Sequence, residues 1–374
     1  MPDARPRSLA LVAGARPNFM KIAPLVRALD AHAAAHPDRA IAWKLVHTGQ
    51  HYDAEMSGNF FDELGIPAPD VNLEAGSGSH AEQTAAILVR FETFLESTPV
   101  GLVAVVGDVN STLACSITAK KLGVPVAHIE AGLRSFDLSM PEEINRLVTD
   151  RLADLLFVTE RDALENLRRE GVPEERVHLV GNVMIDTLLR NLERARAVTR
   201  FDDLKAAGPY AALTLHRPSN VDDPETLRRL LGVLGELATE LPILFARHPR
   251  TAKRMEAFGL EPPAGMTVTG PLPYLEMLSL VADARVVLTD SGGLQEETTA
   301  LGVPCITLRE NTERPVTVTE GANVLAGADP DRIRAAFRAV LDGTGKAGRV
   351  PELWDGRAAE RIVAALETWF DTTD

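Results

Sequence analysis

The stretch VGLVAVVGDVNSTLACSITAKKLGVPVAHIEA (100–131) decides the fold class, because it places a helical pattern between two apolar strands. VGLVAVVGD (100–108) is an apolar run that ends on polar residues, and PVAHIEA (125–131) ends in the same way. A helix predicted from Ser111 separates the two runs. Nearly continuous apolar strands joined by helices are typical of a parallel sheet that is covered on both faces.

The same alternation of strand and helix extends outward from this unit in both directions. In the first half we predict strands at 8–14, 41–49, 100–108, 125–131, 155–159 and 177–182, with helices at 17–36, 81–97, from 111, at 142–153 and near 160–170. The pattern then restarts with a helix at 182–198 and five strands at 210–217, 241–249, 265–271, 284–293 and 303–310. The repetition predicts an α/β protein with two doubly wound parallel sheets.

The length of the chain supports a division into two domains. At 374 residues it exceeds the size at which a single hydrophobic core usually keeps growing. We predict an N-terminal domain at 1–183 and a C-terminal domain at 184–354. The amphipathic helix within 355–374 is expected to cross back to the first domain.

The formal net charge of -14 limits the classes of partner. Nucleic acids and anionic membranes both require a basic face, so neither is an expected partner. A small anionic ligand remains compatible with the composition, because a few arginines and backbone N–H groups can build a local positive site.

Cysteine usage and hydropathy indicate a cytoplasmic protein without cofactor or metal. Cys115 and Cys305 each lie in an apolar segment, as buried small side chains do, and no cysteine–histidine cluster has zinc spacing. The short apolar run near the N-terminus meets Arg16 and Pro17 too early for a signal peptide. No segment approaches the roughly 18 apolar residues that a membrane span requires.

Polar residues follow nearly every predicted strand. In doubly wound sheets, ligands bind at the carboxyl ends of the strands. The segments found there begin at Gly14, Gly49, Gly107, Glu130, Gly181, His216, Arg247, Asp290 and Arg309. We therefore expect the ligand site to lie between the two domains.

TDSGGLQEETTALGVP (289–304) predicts a phosphate-binding turn. Ser291, Gly292 and Gly293 stand between a strand and a helix, where their N–H groups point along the positive end of the helix dipole. Glu296 and Glu297 are expected in the first turn, where a carboxylate can bind both ribose hydroxyls. The alternative is a helix start with a serine cap and favourable early acids.

Four basic residues are weaker candidates for binding the same ligand. Arg16 and Lys21 near the start of the first helix can meet a pyrophosphate, or can be surface charges. His216 ends a strand on the same sheet as the diglycine turn, which favours a phosphate or sugar contact over a structural role. For His248 both interpretations stay open.

Carboxylates at three neighbouring positions are candidates for proton transfer. Asp108 and Glu130 end neighbouring strands and Glu142 begins the next helix, so all three can converge on one cleft. Pro141, Glu142 and Glu143 also make a good helix start, and Glu142 with Arg146 forms an ordinary i, i+4 pair. The spacing alone leaves both interpretations open.

With these motifs in place, the sequence closely resembles the non-hydrolysing UDP-N-acetylglucosamine 2-epimerases. The segments that carry the resemblance run along almost the whole chain: GARPNFMKIAPL, HTGQHYDAEMSGNFF, VVGDVNST, HIEAGLR, MPEEINR, GNVMIDTL, TLHRPSN, DSGGLQEE and NTERP. The resemblance implies a GT-B arrangement, with two Rossmann-like domains facing each other across a cleft that holds a UDP-sugar. It also implies inversion at C2 of UDP-GlcNAc to give UDP-ManNAc, by elimination of UDP to a 2-acetamidoglucal and re-addition.

The resemblance also assigns roles to individual residues. The catalytic acids it implies are Asp108, Glu130 and Glu142, with Glu143 and Arg146 in support. The UDP-sugar contacts it implies are Arg16, Lys21, His216, His248, Ser291, Gly292, Gly293, Glu297 and Arg314. Some members bind a second UDP-GlcNAc as an allosteric activator, near the positions of Gln50, His51 and Arg134. A homodimer is expected by the same analogy.

Departures from the commoner family pattern bear on the identity of the sugar. Val109 stands where threonine usually follows the catalytic aspartate, the loop between Glu130 and Glu142 is of the shorter type, and NTERP is followed by VTVTEGAN. Related epimerases act on UDP-2,3-diacetamido sugars, which is one alternative substrate class. A glycosyltransferase of the same fold that uses a UDP-N-acetylhexosamine donor, and a non-enzymatic UDP-sugar sensor, are the rival functions.

Overall fold

The chain forms two compact units, seen in a computed structural model that describes residues 6–49 and 64–373. The first unit comprises Met1–Thr187 and Glu352–Asp374, and the second comprises Leu188–Pro351. Each unit contains one parallel sheet with helices between successive strands. These sheets confirm the predicted α/β fold class with two doubly wound parallel sheets.

The sheet of unit 1 has the strand order β3-β2-β1-β4-β5-β6-β7, and every neighbouring pair is parallel. Its strands are β1 (Ser8–Ala13), β2 (Ala42–His47), β3 (Val71–Asn72), β4 (Leu102–Val106), β5 (Val126–Ala131), β6 (Leu155–Val158) and β7 (Val177–Leu179). Its described helices are α1 (Arg16–Ala35), α2 (His80–Ser97), α3 (Asn110–Lys121), α4 (Pro141–Leu152) and α5 (Arg161–Arg169), with 3₁₀ turns at Pro37–Arg39 and Glu174–Arg176. Helix α6 (Val183–Arg196) runs from unit 1 into unit 2.

The sheet of unit 2 has the order β10-β9-β8-β11-β12-β13 and is likewise parallel throughout. Its strands are β8 (Ala211–Thr214), β9 (Ile243–Ala246), β10 (Met266–Thr269), β11 (Val286–Thr289), β12 (Cys305–Thr307) and β13 (Asn323–Leu325). Its helices are α7 (Asp202–Ala207), α8 (Pro218–Val221), α9 (Pro224–Leu237), α10 (Pro249–Ala257), α11 (Tyr274–Ala282), α12 (Gly292–Leu301), α13 (Pro315–Thr319) and α14 (Pro330–Leu341).

The central strands are buried on both faces, which explains their continuous apolar sequences. Every residue of β4, β8, β9 and β11 is buried. Side chains on both faces of each sheet pack against helices, as a doubly wound sheet requires. Cys115 and Cys305 are buried free thiols within these cores, as predicted.

Two short strands escaped the sequence prediction. Val71–Asn72 and Asn323–Leu325 pair at sheet edges, next to β2 and β12 respectively. Each is only two or three residues long and neither forms an apolar run, so its strand conformation depends on pairing with a neighbour rather than on local pattern.

The C-terminal helix α15 (Ala358–Thr373) belongs to unit 1 and is held there by polar contacts at its start. The Asp186 carboxylate accepts the backbone N–H groups of Ala358 and Ala359 at 3.0 and 2.8 Å. Just before the helix, the indole N–H of Trp354 donates to the carbonyl oxygen of Thr159 at 3.1 Å. The two bonds to Asp186 satisfy helix N-terminal donors that would otherwise lack a partner.

Candidate active site

The strand order of unit 1 reverses between β1 and β4, and predicted site residues follow both strands. In such sheets the crevice at the switch point is the usual ligand site. Arg16 and Lys21 lie in α1, directly after β1, and Asp108 follows β4. Strand β5 is the next neighbour, with Val106 opposite Ile129, so Asp108 and Glu130 lie side by side at this edge.

Glu130 sits in an unusual backbone conformation at this edge. Its φ of +73° lies in the left-handed region, and the register between β5 and β6 shifts at this residue, as at a β-bulge. Such strain in a non-glycine residue clusters at functional sites. The side chain is buried and forms an ion pair with Lys21, which is also buried. Interpreting Lys21 as a surface charge is therefore wrong.

Gly107 allows these groups to approach one another closely. It has a φ of +70°, and a Cβ atom there would lie 3.2 Å from Lys21 Nζ and 3.5 Å from Glu130 Oε2. The Asn18 side chain accepts the N–H groups of Gly14 and Ala15 and donates to the Val106 carbonyl oxygen at 3.0 Å. Asn18 thereby ties the turn after β1 to the end of β4, a role that we did not predict.

Asp108 is held by a buried arginine rather than standing alone. Arg146 Nη1 donates to Asp108 Oδ2 at 2.6 Å, and Arg146 Nη2 donates to Glu143 Oε2 at 2.6 Å. Burial by itself raises the pKa of Glu143. The backbone N–H of Ser135 and the Arg146 guanidinium nevertheless hold this pKa below its usual value. The supporting roles predicted for Glu143 and Arg146 agree with this geometry.

Glu142 does not form the i, i+4 pair with Arg146 that the helix pattern suggested. Arg146 turns instead toward Glu143 and Asp108, because both carboxylates lie within reach of one guanidinium. Glu142 is half-buried at the start of α4, and its carboxylate makes no ion pair with another residue that the structure describes.

In unit 2 the strand order reverses between β8 and β11, and again predicted site residues follow both strands. His216 follows β8 and Ser291 follows β11, and the two strands are paired. Asp290 joins them: its carboxylate accepts the backbone N–H groups of His216 and Arg217 at 2.9–3.0 Å and lies 3.0 Å from His216 Nδ1. Burial alone raises the pKa of Asp290. These hydrogen bonds nevertheless hold this pKa below its usual range.

Asp290 is a positioning residue to which the sequence analysis gave no role. Its place between the end of β11 and Ser291 was visible in the sequence, but its contacts across the sheet were not. His248 lies beside this cluster, with its ring 5.4 Å from that of His216. Its Nδ1 accepts the N–H of Arg250 at 3.1 Å, so the neutral ring carries its proton on Nε2 and can donate it to a ligand. Burial and the nearby His216 lower the pKa of His248.

The diglycine turn begins α12 as predicted, but the serine does not cap it. Ser291 is the N-cap residue and its side chain makes no capping hydrogen bond. A Cβ atom on Gly292 would lie 2.9 Å from Arg314 Nη1, so glycine gives the guanidinium room to rest on the turn. Arg314 in turn pairs with the buried Glu296 at 2.7 Å. The turn therefore combines helix N–H groups with one arginine, as an anion site does.

The prediction that Glu296 and Glu297 lie in the first turn of this helix is wrong. Helix α12 begins at Gly292, so both acids lie in its second turn, and both are buried. Burial, together with the neighbouring Glu296 carboxylate, raises the pKa of Glu297 to about 8. Glu297 is accordingly protonated near neutral pH and can both donate and accept a hydrogen bond.

The remaining predicted site residues fall into two groups. Gln50, His51 and the side chain of Arg16 lie outside what the structure describes. Arg134 is buried and pairs with Asp150 and Glu170, each at 2.7 Å. Burial alone lowers the pKa of Arg134, but these two carboxylates raise it above its usual value.

Neither a metal cluster nor a membrane span emerges from the described residues. No group of three or more metal-binding side chains in 6–49 and 64–373 is arranged to hold an ion. Within the same ranges, no helix has the length and apolar character needed to cross a membrane.

Comparison with known proteins gives consistent matches along the whole chain. A family model described as UDP-N-acetylglucosamine 2-epimerase matches residues 33–367. The UDP-N-acetylglucosamine 2-epimerase of Methanocaldococcus jannaschii is 41% identical over 370 residues, which cover 96% of this chain and 98% of the relative. The UDP-2,3-diacetamido-2,3-dideoxy-D-glucuronate 2-epimerase of Pseudomonas aeruginosa is 41% identical over 336 residues, 89% of this chain and 92% of the relative. A crystal structure of the M. jannaschii UDP-GlcNAc 2-epimerase in complex with UDP-GlcNAc and UDP has a TM-score of 0.87 at 40% identity, covering 96% of this chain and 99% of that one.

Proposed function

The chain belongs to the UDP-N-acetylglucosamine 2-epimerase family, and from this membership we propose that it inverts C2 of a UDP-N-acetylhexosamine, converting UDP-GlcNAc to UDP-ManNAc. The proton at C2 is removed while UDP leaves from C1, which gives a 2-acetamidoglucal. UDP then adds back to C1 as a proton is delivered to the opposite face of C2. Each bond broken in the first half is re-formed in the second, so the reaction consumes no co-reactant.

Carboxylates of unit 1 would move the proton. The observation that carries this proposal is the pair Asp108 and Glu130, which end adjacent strands at the switch point and each face a buried cation. These ion pairs hold both carboxylates at this edge, where a carboxylate can act as a general base. Glu142, at the start of α4, is the third acid.

Residues of unit 2 would bind the nucleotide. C2 of this sugar carries no carbonyl activation, so stabilising the departing diphosphate must supply much of the driving force. The helix N-terminus at Ser291, Gly292 and Gly293, with Arg314 beside it, offers N–H groups and a fixed positive charge to the phosphates. The proposed further contacts from unit 2 are Glu297 to the ribose hydroxyls and His216 and His248 to the phosphates or sugar. Arg16 and Lys21 of unit 1 are also proposed to contact the phosphates or sugar.

A UDP-2,3-diacetamido sugar is the second candidate substrate. The Pseudomonas aeruginosa relative named for such a sugar is as similar in sequence as the Methanocaldococcus jannaschii enzyme. Val109 adds to this possibility, since it places no hydroxyl beside Asp108 and makes no side-chain cap for α3. Family membership favours epimerisation of one of these two sugars. It disfavours both glycosyl transfer and non-enzymatic sensing of a UDP-sugar.

The decisive experiment incubates the protein with UDP-GlcNAc in deuterated water and follows the sugar by NMR. We expect deuterium to enter at C2 as the manno isomer appears. A parallel incubation with UDP-2,3-diacetamido glucuronate decides between the two substrates by comparing kcat/KM. UDP release or sugar transfer without deuterium at C2 of either substrate would refute the proposal. Asp108→Asn and Glu130→Gln should abolish exchange while UDP binding is kept.

A homodimer built through unit 1 is part of the proposal, as is a cytoplasmic location. Support for the dimer comes from exposed apolar side chains around α4. Ile144 and Val148 lie one turn apart and are 48% and 36% exposed, while Phe136 and Leu138 on the preceding loop are 76% and 69% exposed. Sedimentation velocity should give a dimer for the wild type and a monomer for Ile144→Asp. A monomeric wild type at micromolar concentration would contradict it.

A further inference from the structure

A fully buried histidine lies beneath the edge that carries Asp108 and Glu130. His128 precedes Glu130 by two residues in β5 and is 0% exposed. Its Nε2 lies 2.8 Å from the carbonyl oxygen of Gly107, and its Nδ1 lies 2.6 Å from Asp150 Oδ1. Both ring nitrogens are therefore engaged by oxygen atoms.

The partners decide the direction of both hydrogen bonds. A backbone carbonyl oxygen only accepts, so Nε2 must carry a hydrogen atom. Asp150 Oδ2 accepts the N–H of Gly132 at 3.0 Å and Nη1 of Arg134 at 2.7 Å, and both donors stabilise the ionised form of the carboxylate. An ionised carboxylate has no hydrogen to donate, so Nδ1 of His128 is the donor to Oδ1. A ring that donates from both nitrogens is an imidazolium.

With His128 protonated, the charges of the cluster sum to zero. Asp150 and Glu170 are the acids of the cluster, and Arg134 and His128 are its bases. Two carboxylates and two cations sum to zero; Asp150, Arg134 and His128 are buried, and Glu170 is exposed.

This cluster connects the two turns that carry the candidate acids. Gly107 directly precedes Asp108, and its carbonyl oxygen is held by the ring of His128. Gly132 follows Glu130 by two residues, and its N–H is held by Asp150. One ion pair thus ties the end of β4 to the bulge of β5, across the two positions from which proton transfer would occur.

We propose that His128 is an imidazolium and that the His128–Asp150 ion pair is a positioning element, which sets Asp108 and Glu130 relative to each other for epimerisation. The positioning role rests on the proposed function of these two acids; the protonation state does not. Neither residue contacts the substrate in this assignment. Both act through the backbone of the turns that they hold.

The protonation state can be read from the wild-type protein. Neutron diffraction from deuterated crystals grown at pH 7.5 should show deuterons on both Nδ1 and Nε2 of His128, and none on Asp150. A single deuteron on the ring, or one on the carboxylate, would overturn the proposal. This measurement needs no variant, so it holds even if substitutions at this buried site prevent folding.

Two variants that each keep one donor test the positioning role. In His128→Gln the side-chain amide nitrogen stands near the position of Nε2, and in His128→Asn it stands near that of Nδ1. We expect kcat to fall about 100-fold in both, as for misplacement of catalytic groups by about 1 Å, while KM and UDP affinity stay near wild type. His36→Gln, at an exposed histidine at the end of α1, is the matched control and should keep wild-type kcat.

The outcomes separate the proposal from the function on which it rests. Wild-type kcat in both His128 variants would overturn the positioning role. A rise in KM or a loss of UDP binding, with kcat unchanged, would also do so, because it would indicate a role in binding. Failure of the wild type to exchange deuterium at C2 would instead overturn the proposed function, while the neutron map would still decide the charge of His128.

Discussion

The raised pKa of Glu297 makes a quantitative prediction about stability and pH. The side chain is 5% exposed, and burial with the nearby Glu296 carboxylate raises its pKa from 4.5 to about 8. In the unfolded chain Glu297 ionises near pH 4.5, whereas in the folded protein it stays protonated until about pH 8. Folding therefore becomes less favourable as the pH rises through this window. The two pKa values correspond to a loss of about 2.5 kcal/mol between pH 5 and pH 7.

Glu297→Gln should remove this dependence, because an amide of nearly the same shape does not ionise. The free energy of unfolding would be measured by urea denaturation at pH 5, 6, 7 and 8, followed by far-ultraviolet circular dichroism in the absence of UDP. We expect the difference between variant and wild type to grow in favour of the variant by about 2.5 kcal/mol from pH 5 to pH 7. Glu261→Gln, at an exposed glutamate of unit 2, is the matched control. Parallel pH profiles for wild type and Glu297→Gln would refute the reasoning.

Three further substitutions test the described contacts. Lys21→Met leaves the buried Glu130 carboxylate without its ammonium partner, so the free energy of unfolding measured in urea should fall by about 3 kcal/mol. A loss below about 1 kcal/mol would contradict this. Gly292→Ala displaces the Arg314 guanidinium from the turn, so the Kd for UDP measured by calorimetry should rise about tenfold (about 1.4 kcal/mol). An unchanged Kd would contradict this expectation. Asp290→Ala leaves the partly buried N–H groups of His216 and Arg217 without their acceptor and should cost about 3 kcal/mol, seen as a lower Tm by circular dichroism. A wild-type Tm would count against it.

Much of the fold was predictable because its signals are local. Apolar runs such as 102–106 and polar residues directly after them reveal a buried strand and its carboxyl end without knowledge of any neighbour. Alternation with helical patterns then specifies a parallel sheet. The edge strands Val71–Asn72 and Asn323–Leu325 escaped because they are too short to carry such a pattern, and only pairing with an adjacent strand makes them extended.

The strand ends that carry the candidate site residues were predictable, but their side-chain pairings were not. Asp108 and Glu130 were identified because they end neighbouring strands, and Ser291 because it follows a strand of the second sheet. Helical spacing allows Arg146 to pair with Glu142 or with Glu143, and it indicates nothing about Asp108. The observed pairing depends on the rotamer that the packed helix allows and on Asp108, which lies 38 residues away along the chain.

The sequence by itself determined where strands end, which residues stand at those ends, and which family the chain belongs to, because hydrophobic period, turn chemistry and motif order are properties of short segments. Tertiary structure alone decided which charges neutralise one another: Lys21 meets Glu130 across 109 residues, and the His128–Asp150 pair joins two turns. The physical reason is that a buried charge is stable only beside its counter-charge. That counter-charge is supplied by whichever distant segment the fold brings near.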